Sequence, residues 1–503
     1  MISRGIVFTV ISCALLFGSM GFAQRQSQQL SSNCLISQVQ HAMQLDIQKV
    51  LSSSSKILRQ DTKEYAAANK YWSDLSQLNP TLIVQPTSAE GVQQVLRYVK
   101  NNNIDFVIKS GGHSCNPGYS GLNGGLQIDL GLLNNITYND KSKTVVFGPG
   151  ARWGEVDKYL IKFNRTTVGG HVSNVGVAGF ILGGGYGWKT GQHNLASDVL
   201  VEAEVVLASG EIVRASEREN TDLFFAIRGG GNQFGVVTKF ELKTFPQDGP
   251  VTTGFLFYTK DQVEELSKLV YNWLENNKDP KANLMLIFAK PPPNFEPAPI
   301  ILIWYDGAKE QAKQIFKEFY AINSTVDTTA EMDYATGNTV QDEMVNAGDY
   351  KYLSSAVSPH LTPELIQNTY KHFVDFTNAV PSTEKSAILF EPVFPGAFAG
   401  IKDTDSAYPH SKANHFILQV PRWTDVSQTE SVREWMRKGD SILRQGNEDK
   451  PLYSNFAIYD EPIQNLFRGN LERLIQIKEK YDPDCLFNRG FVIPTQSCGR
   501  CQH

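Results

Sequence analysis

Nine of the 23 residues from Gly169 to Gly191 are glycine, several times the roughly 7% of an average chain. The run opens Gly169-Gly170-His171-Val172-Ser173-Asn174-Val175-Gly176-Val177-Ala178-Gly179 and continues to Gly183-Gly184-Gly185-Tyr186-Gly187. Glycine gives up more backbone freedom on folding than any other residue, so such density needs a reason. It suits backbone amides that must approach something flat or anionic, and consecutive amides can form a nest for phosphate oxygens. Lys109-Ser110-Gly111-Gly112-His113-Ser114 lies upstream, and Arg228-Gly229-Gly230-Gly231-Asn232-Gln233-Phe234-Gly235-Val236-Val237-Thr238 lies downstream. Three glycine clusters at strand ends suggest one extended cofactor touched by several loops. His113 directly follows two glycines, so its backbone can lie tight against that ligand. Nucleotide motifs of other kinds fail on spacing. Trp188 separates Gly187 from Lys189-Thr190, which breaks a Walker A loop, and no GxGxxG opens a helix after the first strand.

The elements that must position these loops are legible as a dense alternation. Leu82-Ile83-Val84 is a short apolar strand closed by Pro86. Thr87 and Glu90 have capping-box spacing, and Val92, Val95, Leu96 and Val99 recur at helical intervals, which predicts an amphipathic helix over 88–101. Phe106 to Ile108, Leu126 to Leu130 and Thr144 to Phe147 read as strands between glycine turns. Val199 to Leu207 and Val236 to Leu242 alternate with a period of two, with Ser209-Gly210 as a hairpin turn after the first. Past residue 248 the texture changes. Leu284 to Ala289 and Ile300 to Tyr305 read as neighbouring strands joined by a proline-rich loop, with a helix at about 308–320. Near the end, Leu471, Leu474, Ile475 and Lys478 share one helix, which Asp482-Pro483 terminates.

The chain has 503 residues, 41% hydrophobic and 20% charged, with a net charge of -5. That balance belongs to a globular protein with a sizeable core and excludes a fibre or a disordered tail. Without a basic run, nucleic acid is not an expected partner. Gly5 to Phe22 is apolar, follows Arg4, and ends in Gly21-Phe22-Ala23 before polar residues. This reads as a secretory signal peptide cut after Ala23. Sequons at Asn135, Asn164 and Asn323 agree with export, so a secreted glycoprotein without a membrane anchor after cleavage is expected. Cleavage leaves Cys34, Cys115, Cys485, Cys498 and Cys501, an odd number. The terminal Cys498-Gly-Arg-Cys501 lacks a second pair to complete a metal site, so no metal is expected and the pair reads as a structural disulfide.

These pieces, taken in order, resemble the berberine-bridge-enzyme-like flavoprotein oxidases of the vanillyl-alcohol-oxidase superfamily. The resemblance rests on Pro80 to Pro86, Gly111-Gly112-His113, the Val175 to Gly187 run, Arg228 to Thr238, and Leu471-Glu-Arg-Leu474 with Lys480-Tyr481-Asp482-Pro483. It implies an α+β fold in two parts: a PCMH-type FAD-binding domain over 76–247, and a substrate domain over 248–447 with an antiparallel sheet covered by helices. Residues 448–503 return to the FAD domain, and 24–75 form a helical amino-terminal segment. The implied cofactor is FAD, joined through its 8α-methyl carbon to His113 and cradled by Lys109, Ser110, Gly111, Gly112, Ser114, Val175, Gly176, Gly179, Gly183, Gly184 and Val237. Relatives that add a second bond use a cysteine three residues before the Val-Gly-Val segment; Val172 stands there, so a single link is implied. Val175 is small, which resembles members that admit O2.

The implied reaction takes hydride from a hydroxyl-bearing carbon of a carbohydrate or a specialised metabolite and passes electrons to O2, giving H2O2. Alternatives are a dehydrogenase with another acceptor, an oxidative cyclase, and a flavoprotein that binds a ligand without turnover. The reaction needs a base. Tyr453-Ser-Asn455-Phe456 resembles the family's YxNY segment, which makes Tyr453 the first candidate, with Asn455 beside it and Tyr186 supporting or replacing it. Gln419, before Trp423, is a candidate polar contact for the substrate. No protein partner is expected.

Overall fold

A computed structural model describes residues 40–51, 54–394, 396–410 and 415–498. The stretch expected to be a signal peptide, Cys34 and Cys501 lie outside them. The chain divides into two compact units, 1–51 and 52–503. In the first, residues 40–48 are helical.

The second unit is a mixed α+β fold whose strands form three main sheets. The first has four strands, in the order Lys56–Arg59, Leu82–Gln85, Leu126–Asp129, Phe106–Lys109. Its last three are mutually parallel, so a helix must carry the chain across. Ala89–Asn102 does so, with Val92, Val95, Leu96 and Val99 buried along one stripe. Its cap falls one residue later than the spacing predicts. Ser88 Oγ accepts from Gly91 N, while Thr87 Oγ1 meets Ser54 Oγ at 2.7 Å. The amino-terminal segment departs from its helical expectation as well. Lys56–Arg59 is a strand, antiparallel to Leu82–Gln85.

The second sheet has five antiparallel strands, in the order Ile136–Asn139, Thr144–Phe147, Val236–Lys243, Leu200–Val206, Ile212–Ser216. The glycine-rich run lies between its strands in sequence, as the short helix Val177–Leu182 and an irregular stretch ending at helix Thr190–His193. The chain returns to this part at its end. Helix Leu471–Tyr481 reaches helix Thr221–Ile227, where Arg473 covers the Phe225 ring at 3.6 Å and Tyr481 Oη donates to Asp222 at 2.8 Å.

The third sheet is antiparallel and has eight strands. Its main path runs Val326–Asp327, Val251–Phe257, Ala298–Tyr305, Ala282–Ala289, Ala387–Glu391, His415–Val420, Ser354–Ser358. Alternation along these strands sorts two faces. Leu284, Leu286, Phe288, Ile301, Ile303 and Ile417 pack with Trp273, Phe373 and Trp435 from covering helices. Phe255, Met285, Ile287, Ile300, Leu302 and Trp304 form the other face, joined by Trp188 from the glycine-rich segment. The strands predicted at 284–289 and 300–305 pair as neighbours, and the helix predicted at 308–320 is split into Lys309–Ile315 and Lys317–Ala321.

The cysteine expectation is corrected. Cys498 pairs with Cys485, thirteen residues away, rather than with Cys501. Both lie in the irregular segment that follows helix Leu471–Tyr481, which a count of spacings does not reveal. Among the described residues, Cys115 is a free buried thiol and no helix is long and apolar enough to cross a membrane.

Candidate active site

A cavity of about 960 Å³ separates the glycine clusters from the second face of the eight-stranded sheet. Ser110, Gly111, Gly112, His113 and Ser114 line it from the first cluster. Val175, Gly176, Gly179 and Gly183 line it from the second, and Val237 from the third. Glycine is required where two of these loops touch. A Cβ on Gly111 would stand 2.6 Å from the Gly176 Cα, so the two backbones approach as closely as sterics permit.

Three expected residues do not line this cavity. Lys109 alternates with Ile108 and Ser110, which do, so its side chain points to the far side of the strand. There its ammonium lies 3.4 Å from Asp129 Oδ2 and 5.2 Å from the centre of the Tyr71 ring. Gly184 takes φ +116°, and a Cβ on it would meet Tyr453, Leu195 and Tyr408. Gln419 falls between Leu418 and Val420, which line the cavity, so it faces the helices. Its Nε2 donates to Met436 O at 3.1 Å and to Asp440 Oδ1 at 2.9 Å. A substrate contact for Gln419 is therefore ruled out by the direction of its side chain.

His113 is held on two sides. Its ring stacks on Trp72, with centroids 4.8 Å apart and planes 13° apart. Its Nε2 lies 2.9 Å from Asn174 Oδ1. A carbonyl oxygen can only accept, so this bond assigns the proton to Nε2 and leaves the lone pair on Nδ1. Burial holds the imidazole neutral, down to about 4 from its usual value.

Tyr453 lines the cavity and is buried. Its phenolic oxygen accepts from Gly185 N at 3.0 Å, Tyr186 N at 3.1 Å and Asn455 Nδ2 at 2.9 Å. Three donors around one oxygen favour negative charge on it, yet burial prevails and pushes the phenol up to about 12. Tyr186 Oη donates to Pro392 O at 2.6 Å, so its proton is committed to a carbonyl.

Two residues that the sequence reading did not single out meet at the same place. His171 and Glu391 both line the cavity and both are more than nine-tenths buried. Their nearest atoms, His171 Nδ1 and Glu391 Oε2, are 3.8 Å apart. His171 Nε2 and Glu391 Oε2 have no hydrogen-bond partner among the described residues. Desolvation drives each toward its uncharged form: the carboxyl up to about 8, the imidazole down to about 3. Trp188 and Tyr186 wall the imidazole at 4.2 and 5.0 Å between ring centres. A hint was present in the sequence, because His171 follows Gly169-Gly170 as His113 follows Gly111-Gly112.

The FAD binding domain family matches residues 80–216, and the family described as berberine and berberine like matches 452–490. FAD-linked oxidoreductase pgmH of Aspergillus terreus is 30% identical over 477 residues, covering 89% of this chain and 96% of that protein. This chain belongs to the berberine-bridge-enzyme-like FAD-linked oxidoreductases. BBE-like 1 of Physcomitrella patens shares the fold, with a TM-score of 0.80 at 22% identity, over 90% of this chain and 99% of that one. Glucooligosaccharide oxidase of Acremonium strictum superposes with a TM-score of 0.78 at 26% identity, over 90% of this chain and 98% of that one. Its cofactor is described as 6-S-cysteinyl, 8α-N1-histidyl FAD. The matched domain family is described as FAD binding, which makes FAD the cofactor to set against the glycine-lined wall. The Gly111–Gly176 approach and the neutral His113 are what such a cofactor needs, so the residues present fit it.

Proposed function

We propose that this chain is an oxidase that carries FAD on a single covalent link through His113, takes hydride from a hydroxyl-bearing carbon, and returns the electrons to O2 as H2O2. The observation that carries this reading is the state of His113: half-buried, neutral, with Nε2–H committed to Asn174, its lone pair left on Nδ1, and its residue on the lining of a glycine-rich cavity. That lone pair is the nucleophile a bond to the flavin 8α-carbon requires. One link rather than two is supported by Val172, which lines the cavity with no nucleophilic atom. Cys115 lines it as well, but burial pushes its thiol up to about 12, and a thiol that keeps its proton is a poor nucleophile. Val175 lines the cavity with a small side chain, which supports O2 as the acceptor.

FAD bound there supplies a two-electron acceptor for hydride. Converting a CH–OH group to a carbonyl also releases one proton. Glu391, as carboxylate, would accept it, with neutral His171 at 3.8 Å holding the other side of the pair. A carboxyl raised to about 8 is matched to proton transfer near neutral pH, whereas a phenol at about 12 is not. Tyr453 is the second candidate, favoured by the three N–H groups that would hold its phenolate. On the first assignment Tyr453 clamps the Gly185–Tyr186 turn and acts on the reaction through position.

Secretion is part of the proposal. Asn135, Asn164 and Asn323 are all exposed, as acceptor sites for glycans must be. The test is a visible spectrum of the purified chain, a mass increment on the peptide carrying His113, and peroxide release under air with hydroxylated substrates. A colourless chain with an unmodified His113 peptide sinks the reading.

A further inference from the structure

The cavity's second wall is one row of side chains crossing five strands. Register pairs Phe257 with Ile300, Ile300 with Ile287, Ile287 with Leu389, and Leu389 with Leu418. All five line the cavity. With neighbouring strands about 4.8 Å apart, the row spans about 19 Å. Phe255 and Val420 extend the apolar surface on either side of it. No member of this row carries a hydrogen-bonding group.

Polar side chains on the same cavity lie elsewhere or are occupied. Arg422 is held by Asp349 at 2.7 Å and by Asn346 at 2.7 Å. Lys351 donates to Trp72 O at 2.6 Å beside His113. Lys290 reaches Thr377 O, Lys385 reaches Asp349, and Gln341 donates to His171 O. Glu343 and Glu384 are exposed. Among the described residues, four that line the cavity carry a buried polar atom without a partner, Glu391, His171, Asn116 and Ser120, and of these Glu391 alone stands on the sheet that carries the row. Glu391 follows Leu389 by two residues on the same face of the same strand, which puts it about 7 Å from the row.

We infer that the substrate is a largely apolar ring molecule, aromatic or polycyclic, that carries a single hydroxyl and presents it to Glu391. This rests on the oxidoreductase reading above and narrows it. A sugar ring displays hydroxyls around its whole edge. Laid against Phe257, Ile300, Ile287, Leu389 and Leu418, each of those hydroxyls would lose water and gain no partner. A flat hydrocarbon body loses nothing there and buries its own apolar area. The carbohydrate oxidases that share this fold therefore mislead as guides to the substrate of this chain.

The test is calorimetric binding of 2-naphthylmethanol, 9-fluorenol and cellobiose to the purified holoenzyme. At least one aryl alcohol should bind about tenfold or more tightly than cellobiose. Leu389→Asn should weaken that alcohol by about tenfold, and Leu389→Met should leave it within about threefold. Phe257→Asn, at the far end of the row, repeats the test should Leu389→Asn fail to fold. Cellobiose binding as tightly as the alcohols, no binding of either alcohol, or indifference of alcohol affinity to both asparagine variants would each overturn the inference. A chain that selects the aryl alcohol but carries no flavin would support this inference and sink the oxidase reading instead.

Discussion

The Trp72 indole and the His113 imidazole lie face to face, 4.8 Å between centres and 13° from parallel. The same indole has the Lys351 ammonium 4.7 Å from its ring centre and donates through Nε1 to Val345 O at 2.9 Å. Trp72 N donates to Gly112 O at 2.9 Å. The indole thus fixes the plane of His113, while Asn174 fixes its rotation about that plane.

If His113 carries the flavin, His113→Ala should leave FAD soluble after acid precipitation, and wild type should keep it in the pellet. Trp72→Ala should lower the covalent fraction severalfold while leaving the His113 peptide competent. It should also cost about 3–5 kcal/mol of stability, as removal of a large buried ring does. Flavin fluorescence of pellet and supernatant, with mass analysis of the peptide, reads both effects. An unchanged covalent fraction in Trp72→Ala would show that Asn174 alone orients the imidazole.

Glu391 gives a pH signature. It must be ionised to accept a proton, and burial pushes its carboxyl up to about 8. Anaerobic flavin reduction should therefore rise with pH through about 8 and level off above it. His171, held down to about 3, stays neutral throughout that range. Glu391→Gln should remove the limb and slow reduction by roughly 10²- to 10⁴-fold. Stability should move the opposite way. The folded carboxyl binds a proton between the ordinary 4.5 and about 8 while the unfolded one does not. Stability is thus lost as pH rises through this window, by up to about 1.4 kcal/mol per unit from this group. Glu391→Gln should flatten that part of the profile in chemical denaturation.

Tyr453→Phe separates the two base assignments. Removal of the phenolic oxygen strands Gly185 N and Tyr186 N, while Asn455 Nδ2 keeps Phe180 O at 3.0 Å, so a loss of about 1–3 kcal/mol for an unsatisfied buried group is expected in thermal unfolding. If Tyr453 only positions the turn, flavin reduction should slow by about tenfold or less and keep its limb near 8. A loss of 10²-fold or more that leaves that limb intact would move the base to Tyr453.

Glycine patterns were legible because only glycine permits what the fold does with them, as at Gly111 against Gly176. Periodicity located the helix carrying Val92 and Leu96 and the strands carrying Leu284 and Ile303, since burial on a fixed face leaves a fixed spacing. Side-chain direction was harder. Lys109 and Gln419 sit in the right segments, but each is one residue out of phase with the cavity, and a strand inverts its side chains at every step. The pairing of His171 with Glu391 left little trace. The two are 220 positions apart, and only the packing of the eight-stranded sheet over the glycine-rich loop brings them together. Glu391 was visible at most as the lone charge ending an apolar strand.

The carboxy-terminal helix holds the glycine-lined wall of the cavity from behind. Lys478 is fully buried, and its ammonium donates to Asp482 Oδ2 at 2.6 Å, Gln233 O at 2.6 Å and Phe487 O at 2.8 Å. Asp482 in turn accepts from Leu486 N at 2.8 Å and Phe487 N at 2.9 Å. Gln233 lines the cavity in the third glycine cluster. Lys478→Met keeps the length of the side chain but leaves Asp482 as an uncompensated buried carboxylate and Gln233 O without its donor. Breaking one partner of such a pair costs about 3–5 kcal/mol. The variant should unfold at markedly lower denaturant and, where it folds, should carry less FAD than wild type although Lys478 touches no part of the cavity. Lys478→Met with Asp482→Asn removes both charges and should recover part of the stability. Full FAD occupancy in the single variant would show that the Gln233 loop stands without this support.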